Sequence, residues 1–404
     1  MIATGSNLAG AGTITRPAVL PEAVRPLHGL VVLDLSQFLA GPSCALRLAD
    51  LGATVIKVER PRTGELGRQL YISNLELDGD STLFHSINRN KRSYAANLKD
   101  PDDLARVRTL IAQADVLIQN FRPGVIERLG LDYETVRRLN PRLVYGSISG
   151  YGPEGPWRDR PGQDLLAQSL SGLAWLSGDR DQGPVPMGLA VADLFAGAHL
   201  TQGLLACLVR RGITGQGGHV EVSLLESVLD VQFEVITTYL NDGGRLPERS
   251  AVNSAHAYLG APYGIFPTAD GFLALAMNPV PRLGELLGCA ELAVYADPAT
   301  WFSHRDAIKA ILAEHLMSES TDHWLALLET ADVWCSDVLT WDQLVRHEGF
   351  RVLNMTQHVS RSNGASLETL RCPIRIDGGI LTSQVGAPFV GEHNAELSEE
   401  FRLE

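Results

Sequence analysis

Between residues 30 and 224, short apolar runs alternate with stretches of helical spacing, and this alternation leaves few folds open to the chain. The run Leu30-Val31-Val32-Leu33-Asp34-Leu35 suits a strand buried on both faces of a parallel sheet. Residues 42–51 place Cys44, Leu46, Leu48 and Leu51 at helical spacing, and Gly52 follows as a stop. Residues 55–58 predict the next strand. Asp100-Pro101 predicts a cap with proline in the first turn, opening a helix that runs to Ala114. Residues 115–119 and 143–149 predict two more strands. Residues 162–176 and 193–211 predict helices, 219–224 a strand and 225–239 a helix. Strands alternating with helices predict an α/β fold whose large domain is Rossmann-like, a parallel sheet covered on both faces. The Gly-x-Gly-x-x-Gly fingerprint is absent after the first strand, so a dinucleotide is not suggested.

Asn241-Asp242-Gly243-Gly244 interrupts the pattern. The spacing divides the chain into a large domain over 27–225, a helical linker over 226–244, a smaller α+β domain over 245–345 and a tail over 346–404. The smaller domain has expected strands at 263–266 and 272–276, then helices rich in Leu, Ala and Trp. Residues 1–26, rich in Gly, Ala, Thr and Pro, read as a flexible amino-terminal arm and not a signal peptide. No stretch reaches the roughly 18 uninterrupted apolar residues of a membrane span, so no membrane partner is expected.

A net charge of −13 argues against nucleic acid, whose phosphates need a basic surface. Basic residues nonetheless crowd two segments, Arg89, Lys91, Arg92 and Lys99 in one, Arg122 and Arg128 in the other. Cys44, Cys207, Cys289, Cys335 and Cys372 are scattered, with no Cys-x-x-Cys. That pattern predicts neither a disulfide framework nor a metal site, and it suits a reducing, cytoplasmic setting.

Short motifs follow in order along this framework: Leu27-His28-Gly29-Leu30, Ala40-Gly41-Pro42, Leu51-Gly52-Ala53-Thr54-Val55-Ile56-Lys57-Val58-Glu59-Arg60-Pro61, Asn88-Arg89-Asn90-Lys91-Arg92-Ser93, Asn120-Phe121-Arg122-Pro123-Gly124, Ser147-Ile148-Ser149-Gly150-Tyr151-Gly152, Ala192-Asp193 and Gly215-Gln216-Gly217-Gly218-His219-Val220-Glu221-Val222. In this order they resemble the family III CoA-transferases, the group of the formyl-CoA and carnitine CoA-transferases and their racemase relatives. The resemblance covers nearly the whole chain from about Leu27. It implies that acyl-CoA and small carboxylic acids are the substrates and that no cofactor is permanently bound. It further implies that the tail returns to the large domain and that two chains interlock as threaded rings, a homodimer.

Asp193 stands among Gly188, Leu189, Ala190, Val191 and Ala192 before it and Leu194, Phe195, Ala196 and Gly197 after it. Taken alone, an acid at the start of an apolar helix reads as an N-cap. The resemblance implies instead that Asp193 is the nucleophile. A carboxylate suits the chemistry because it can attack a thioester, and the released CoA thiolate can then attack the enzyme's own acyl group, leaving an aspartyl-CoA thioester. By the same resemblance Arg60, Lys99, Asn120, Phe121 and Arg128 match positions that contact CoA.

The racemase branch carries His within Gly-His-Asp; here the motif is Gly162-Gln163-Asp164, and Gln163 cannot transfer protons near neutral pH. A racemase Glu before Pro is matched by Asn278 before Pro279. Both losses disfavour racemisation. Asp164 reads equally as a helix cap or as a partner behind the nucleophile. Oxalate-using members carry Gln before Ala-Gly-Pro and a run of four glycines. This chain has Leu39 at the first place, with Gln37 two residues earlier, and only Gly260 and Gly264 in the second region, where His256 and Tyr258 could meet an acceptor acid. Oxalate is therefore disfavoured, and succinyl-CoA with a C4–C5 acid is expected. A 2-methylacyl-CoA racemase and a non-catalytic CoA-binding protein, with Asp193 as a cap only, are the alternatives.

Overall fold

The computed structural model describes residues 18–404. Six strands make one sheet: β1 (Val31–Asp34), β2 (Thr54–Glu59), β3 (Arg92–Ala95), β4 (Val116–Gln119), β5 (Val144–Ser149) and β6 (Gly218–Ser223). All neighbours are parallel, in the spatial order β3-β2-β1-β4-β5-β6. The order reverses between β1 and β4, which opens a crevice beyond their carboxyl ends, the place where such sheets hold ligands.

The helices packed on the sheet are α1 (Ala40–Asp50), α2 (Pro101–Gln113), α3 (Asp164–Leu170), α4 (Val191–Thr214) and α5 (Leu224–Val231); α6 (Phe233–Asn241) follows α5 and buries no residue, and α7 (Asn394–Phe401) packs on the sheet from the tail. Successive strand residues go to opposite faces. Val32, Val55, Val116 and Val144 pack with Cys44 and Leu48 of α1 and Ala196, Leu200 and Leu204 of α4. Their neighbours Leu33, Ile56, Leu117 and Tyr145 pack with Val107 and Leu110 of α2 and Leu397 and Phe401 of α7. A separate core around Phe266, Leu273, Leu283, Ile308, Leu312 and Trp324 holds the antiparallel sheet of Gly264–Pro267, Phe272–Leu275 and Cys335–Asp337.

Several elements differ from the sequence expectation. The edge strand β3 was not expected; half its residues are polar. The helix expected over 162–176 stops at Leu170, and a separate short turn, Leu173–Trp175, follows Gly172 at φ +83°. The helix expected over 225–239 is two, α5 and α6, parted at Gln232. The amino-terminal arm, 1–26, lies partly outside the described residues. Where it is described it pairs with the tail: Ile380 N–H donates to Ala18 O, and Leu20 N–H to Ile380 O, both at 2.9 Å.

The tail in turn meets the edge of the large sheet. Asn394 Oδ1 accepts from Ala95 N–H at 2.8 Å, and its Nδ2 donates to Ala95 O at 3.0 Å. Helix α4 is long and apolar enough to cross a membrane by length and composition. One side of it, Ala196, Leu200 and Leu204, is buried against α1 and the sheet, while Val209 and Ile213 stay exposed.

Candidate active site

The carboxyl ends of β1 to β4 open onto a cleft of about 380 Å³. Leu35, Val58, Ala96, Phe121 and Leu129 give it apolar walls. Arg60, immediately after β2, and Lys99, after β3, also line it and are exposed. Apolar walls with two cations suit a flat ring that carries phosphates. Arg128 is exposed on the short helix Val125–Arg128, whose first residue, Val125, lines the same cleft. Asn120 lies where the strand order reverses. Its Oδ1 accepts from Gln37 N–H and its Nδ2 donates to Gln37 O, each at 2.8 Å.

The basic segment 89–99 is not one surface patch. Arg89 is buried on Asp50, with Nη1 donating to Oδ1 at 2.6 Å. Lys91 is buried on Asp34 at 2.8 Å, and Arg92 pairs with Glu396 and Glu400. Of these cations only Lys99 lines the cleft.

Beneath the cleft the turn at residues 36–38 is clamped from several sides. Asp34 accepts from both the N–H and the hydroxyl of Ser36. Lys57 Nζ donates to Ser36 O at 2.9 Å, and Glu65 Oε2 accepts from Phe38 N–H at 3.1 Å. Phe38 itself has φ +65°, a conformation that costs a non-glycine residue of order 1 kcal/mol or more and persists only where surroundings impose it. Lys57 and Lys91 hold the Asp34 carboxyl down at about 2 against the penalty of its burial, and burial brings Lys91 down to about 8. Sequence reading missed this network, because a strand-end Asp and two Lys give no spacing signal of their own.

Two close approaches link this turn, through α1, to α4. A Cβ on Gly41 would lie 2.2 Å from Ser36 Cβ, and one on Gly197 would lie 2.6 Å from Ala40 O. Only glycine allows α4 to press on the first turn of α1 there. Asp193, one helical turn before Gly197, lies on the same face of α4. Leu39, the residue before α1, is half-buried at this junction.

Asp193 is not a cap. The N-cap of α4 is Ala190, with no side-chain cap bond. Capping of that helix comes from Asp164, whose Oδ1 accepts from Ala192 N–H at 2.7 Å. No hydrogen bond to the Asp193 carboxyl is formed within the described residues. Burial, with the adjacent Asp164 carboxylate, pushes its pKa up to about 7. Asp164 is buried and also accepts from Gln168 Nε2 at 2.7 Å. Gln168 was missed in the sequence, although its spacing of four from Asp164 within an expected helix was a usable signal.

The remaining candidates lie elsewhere or are held structurally. Gln163 is exposed before α3. Asn278 is tied to Trp334, donating to its carbonyl at 3.2 Å and accepting from its N–H at 3.3 Å. His256 Nε2 is 3.7 Å from Glu234 of α6, and Nδ1 accepts from Tyr258 N–H at 3.2 Å. The Tyr258 hydroxyl has no hydrogen-bond partner among the described residues, and its burial raises its pKa. Their loop is tethered to the segment before α4: Ser254 N–H donates to Asp179 Oδ1 at 2.8 Å, and Arg249 donates to the carbonyls of Ser177 and Gln182.

Residues 27–394 match the model of CoA-transferase family III. A succinate–glutarate CoA-transferase of Agrobacterium fabrum is 34% identical over 395 residues, covering 94% of this chain and 97% of that protein. An acetyl-CoA:oxalate CoA-transferase of Acetobacter aceti is 33% identical over 387 residues, covering 93% and 96%. The crystal structure of a CaiB/BaiF family protein from Brucella suis superposes with a TM-score of 0.81 at 32% identity, covering 93% of this chain and 99% of that one.

Proposed function

Since the chain belongs to CoA-transferase family III, we propose that Asp193 is its nucleophile and that it moves CoA from succinyl-CoA to a C4–C5 carboxylic acid. The observation that carries this reading is the state of Asp193. Its carboxyl is half-buried, takes no hydrogen bond among the described residues, and has its pKa raised to about 7 by desolvation and the neighbouring Asp164 carboxylate. A carboxylate with little hydration and no donor to satisfy it is a stronger nucleophile than one in water.

The ionised Asp193 oxygen attacks the thioester carbonyl, and CoA leaves as thiolate, giving an acyl-aspartyl anhydride. The thiolate attacks the Asp193 carbonyl, expelling the donor acid as carboxylate and leaving an aspartyl-CoA thioester. The acceptor carboxylate attacks that thioester and releases CoA thiolate again. Attack of the thiolate on the acceptor's acyl carbon yields the new acyl-CoA and restores Asp193. No proton is transferred in these steps, so neutral Gln163 is no handicap.

Arg60, Lys99, Asn120, Phe121 and Arg128 are proposed to hold the CoA nucleotide in the cleft. The relatives include enzymes named for glutarate and for oxalate, so overall identity does not choose the acid. Leu39, in place of the Gln of oxalate-using members, supports the longer acid. His256 and Tyr258 are proposed to meet the acceptor. Gln163 and the structurally engaged Asn278 speak against a racemase.

The proposal extends to an interlocked homodimer in the cytoplasm. The exposed apolar side chains of α4 to α6, among them Phe195, Val209, Ile213, Phe233 and Leu240, support a covered face. The five free thiols support a reducing setting. A matrix of acyl-CoA donors against acids, read by mass spectrometry, tests the substrates. Asp193→Ala should abolish transfer while CoA affinity stays within a few fold. Retained transfer in that variant removes the nucleophile assignment.

A further inference from the structure

We propose that Gln168 is a positioning residue for Asp193, acting through Asp164 and the segment that leads into α4; this rests on Asp193 as the nucleophile. The segment from Pro186 to Leu189 is exposed residue after residue, so no apolar burial fixes its course. Its anchors are polar. Gln168 Oε1 accepts from Met187 N–H at 2.9 Å, and its Nε2 donates to Leu189 O at 3.1 Å. The same Nε2 donates to Asp164 Oδ2 at 2.7 Å, and Asp164 Oδ1 accepts from Ala192 N–H at 2.7 Å. Two buried side chains, four residues apart on α3, thus pin positions 187, 189 and 192, and Asp193 is the next residue.

The polarity of this pair permits one arrangement. Asp164 as carboxylate only accepts, so Gln168 must turn its NH₂ toward it, which leaves its oxygen for Met187 N–H. Asp164→Asn must keep its oxygen on Ala192 N–H and so presents NH₂ to the NH₂ of Gln168. If Gln168 flips to relieve that conflict, it loses Met187. Gln168→Glu alone sets two acceptors against each other. The double variant D164N/Q168E reverses the polarity and restores the contacts to Ala192 and Met187, forfeiting only Leu189 O. A misplacement of the nucleophile by about 1 Å costs on the order of a hundredfold in rate.

The test uses full-length protein with succinyl-CoA and glutarate, following steady-state rates and single-turnover labelling of the intact enzyme by CoA. Gln168→Leu, D164N and Q168E should each lower kcat by about ten- to a hundredfold. KM for succinyl-CoA should stay within about twofold, because the CoA cleft is built from other elements. D164N/Q168E should recover to within about fivefold of the parent. A Gln168→Leu protein with unchanged kcat, or a folded double variant no better than the singles, overturns the proposal. Should Gln168→Leu fail to fold, the double variant alone decides. If the parent enzyme itself takes up no CoA label, the nucleophile reading fails instead, and the two failures are distinct.

Discussion

Asn120 and Gln37 form a closed ring across the reversal of strand order, the Asn120 amide both accepting from and donating to the Gln37 backbone at 2.8 Å. The contact joins β4 to the turn after β1 and holds the strained Phe38 next to it. Asn120→Ala leaves a backbone N–H and C=O without partners, at a cost of about 1–3 kcal/mol for each group that stays buried. The expected result is a lower urea midpoint together with a raised KM for acyl-CoA. Asn120→Asp, which keeps the acceptor and loses the donor, should fall between. A variant with unchanged stability and unchanged KM would show that the ring holds nothing.

Asp193 makes stability depend on pH in a predictable direction. Its folded pKa of about 7 exceeds the ordinary 3.8, so between these values the folded chain holds a proton that the unfolded chain has lost. Stability from this group is therefore present below about pH 4 and is lost as pH rises through 7. The full shift corresponds to about 4 kcal/mol at most. Asp193→Asn should accordingly be more stable than the parent at pH 8, with the gap closing by pH 4. The difference in urea midpoint across that range is the measurement; a gap independent of pH would place the carboxyl in a hydrated setting.

The strands were legible where burial on both faces writes itself as continuous apolar runs, as in β1, β4 and β5. Strand β3 was not, because Arg92 and Ser93 serve the tail across the sheet edge, a contact about 300 residues distant in sequence. Asp193 could be singled out, yet its neighbours alone made it a cap. The true cap, Asp164, lies 28 residues before Ala192 and reaches it only through the packing of α3 on α4. Likewise the basic residues at 89–99 look alike in sequence. The structure divides them into two buried ion pairs at Arg89 and Lys91, an edge pair of Arg92 with the tail, and a single cleft residue, Lys99.

Arg60 and Lys99 should act on the nucleotide end of CoA. Arg60→Ala and Lys99→Ala are each expected to raise KM for acyl-CoA by about ten- to a hundredfold, as loss of a charge-assisted contact typically does. KM for the acceptor acid should hardly move. With a pantetheine thioester, which lacks the phosphates, the effect should vanish. Equal losses with long and short donors would place both cations away from the nucleotide.

The tail docks on the edge of the chain's own sheet, and this makes the proposed threaded assembly testable. Asn394 bonds to Ala95 twice, His393 N–H donates to Ser93 O at 3.1 Å, and Gly391 N–H donates to Ser93 Oγ at 2.8 Å. Arg361 pairs with Asp78 and Asp80 further back along the tail. If two such rings are threaded, neither can leave without one closure opening, so the barrier to separation is that of local unfolding and not of surface contact alone. The dimer should then survive dilution to nanomolar concentration for hours. Deleting residues 390–404 leaves the contacts of Arg361 but removes those to Ser93 and Ala95, and should make subunit exchange faster, although none of those residues is assigned to substrate. Sedimentation across a thousandfold dilution, with subunit exchange between differently labelled chains, reads both effects. Rapid exchange in the intact protein would exclude threading, whereas slow exchange that speeds up on tail deletion is the outcome the ring closure requires.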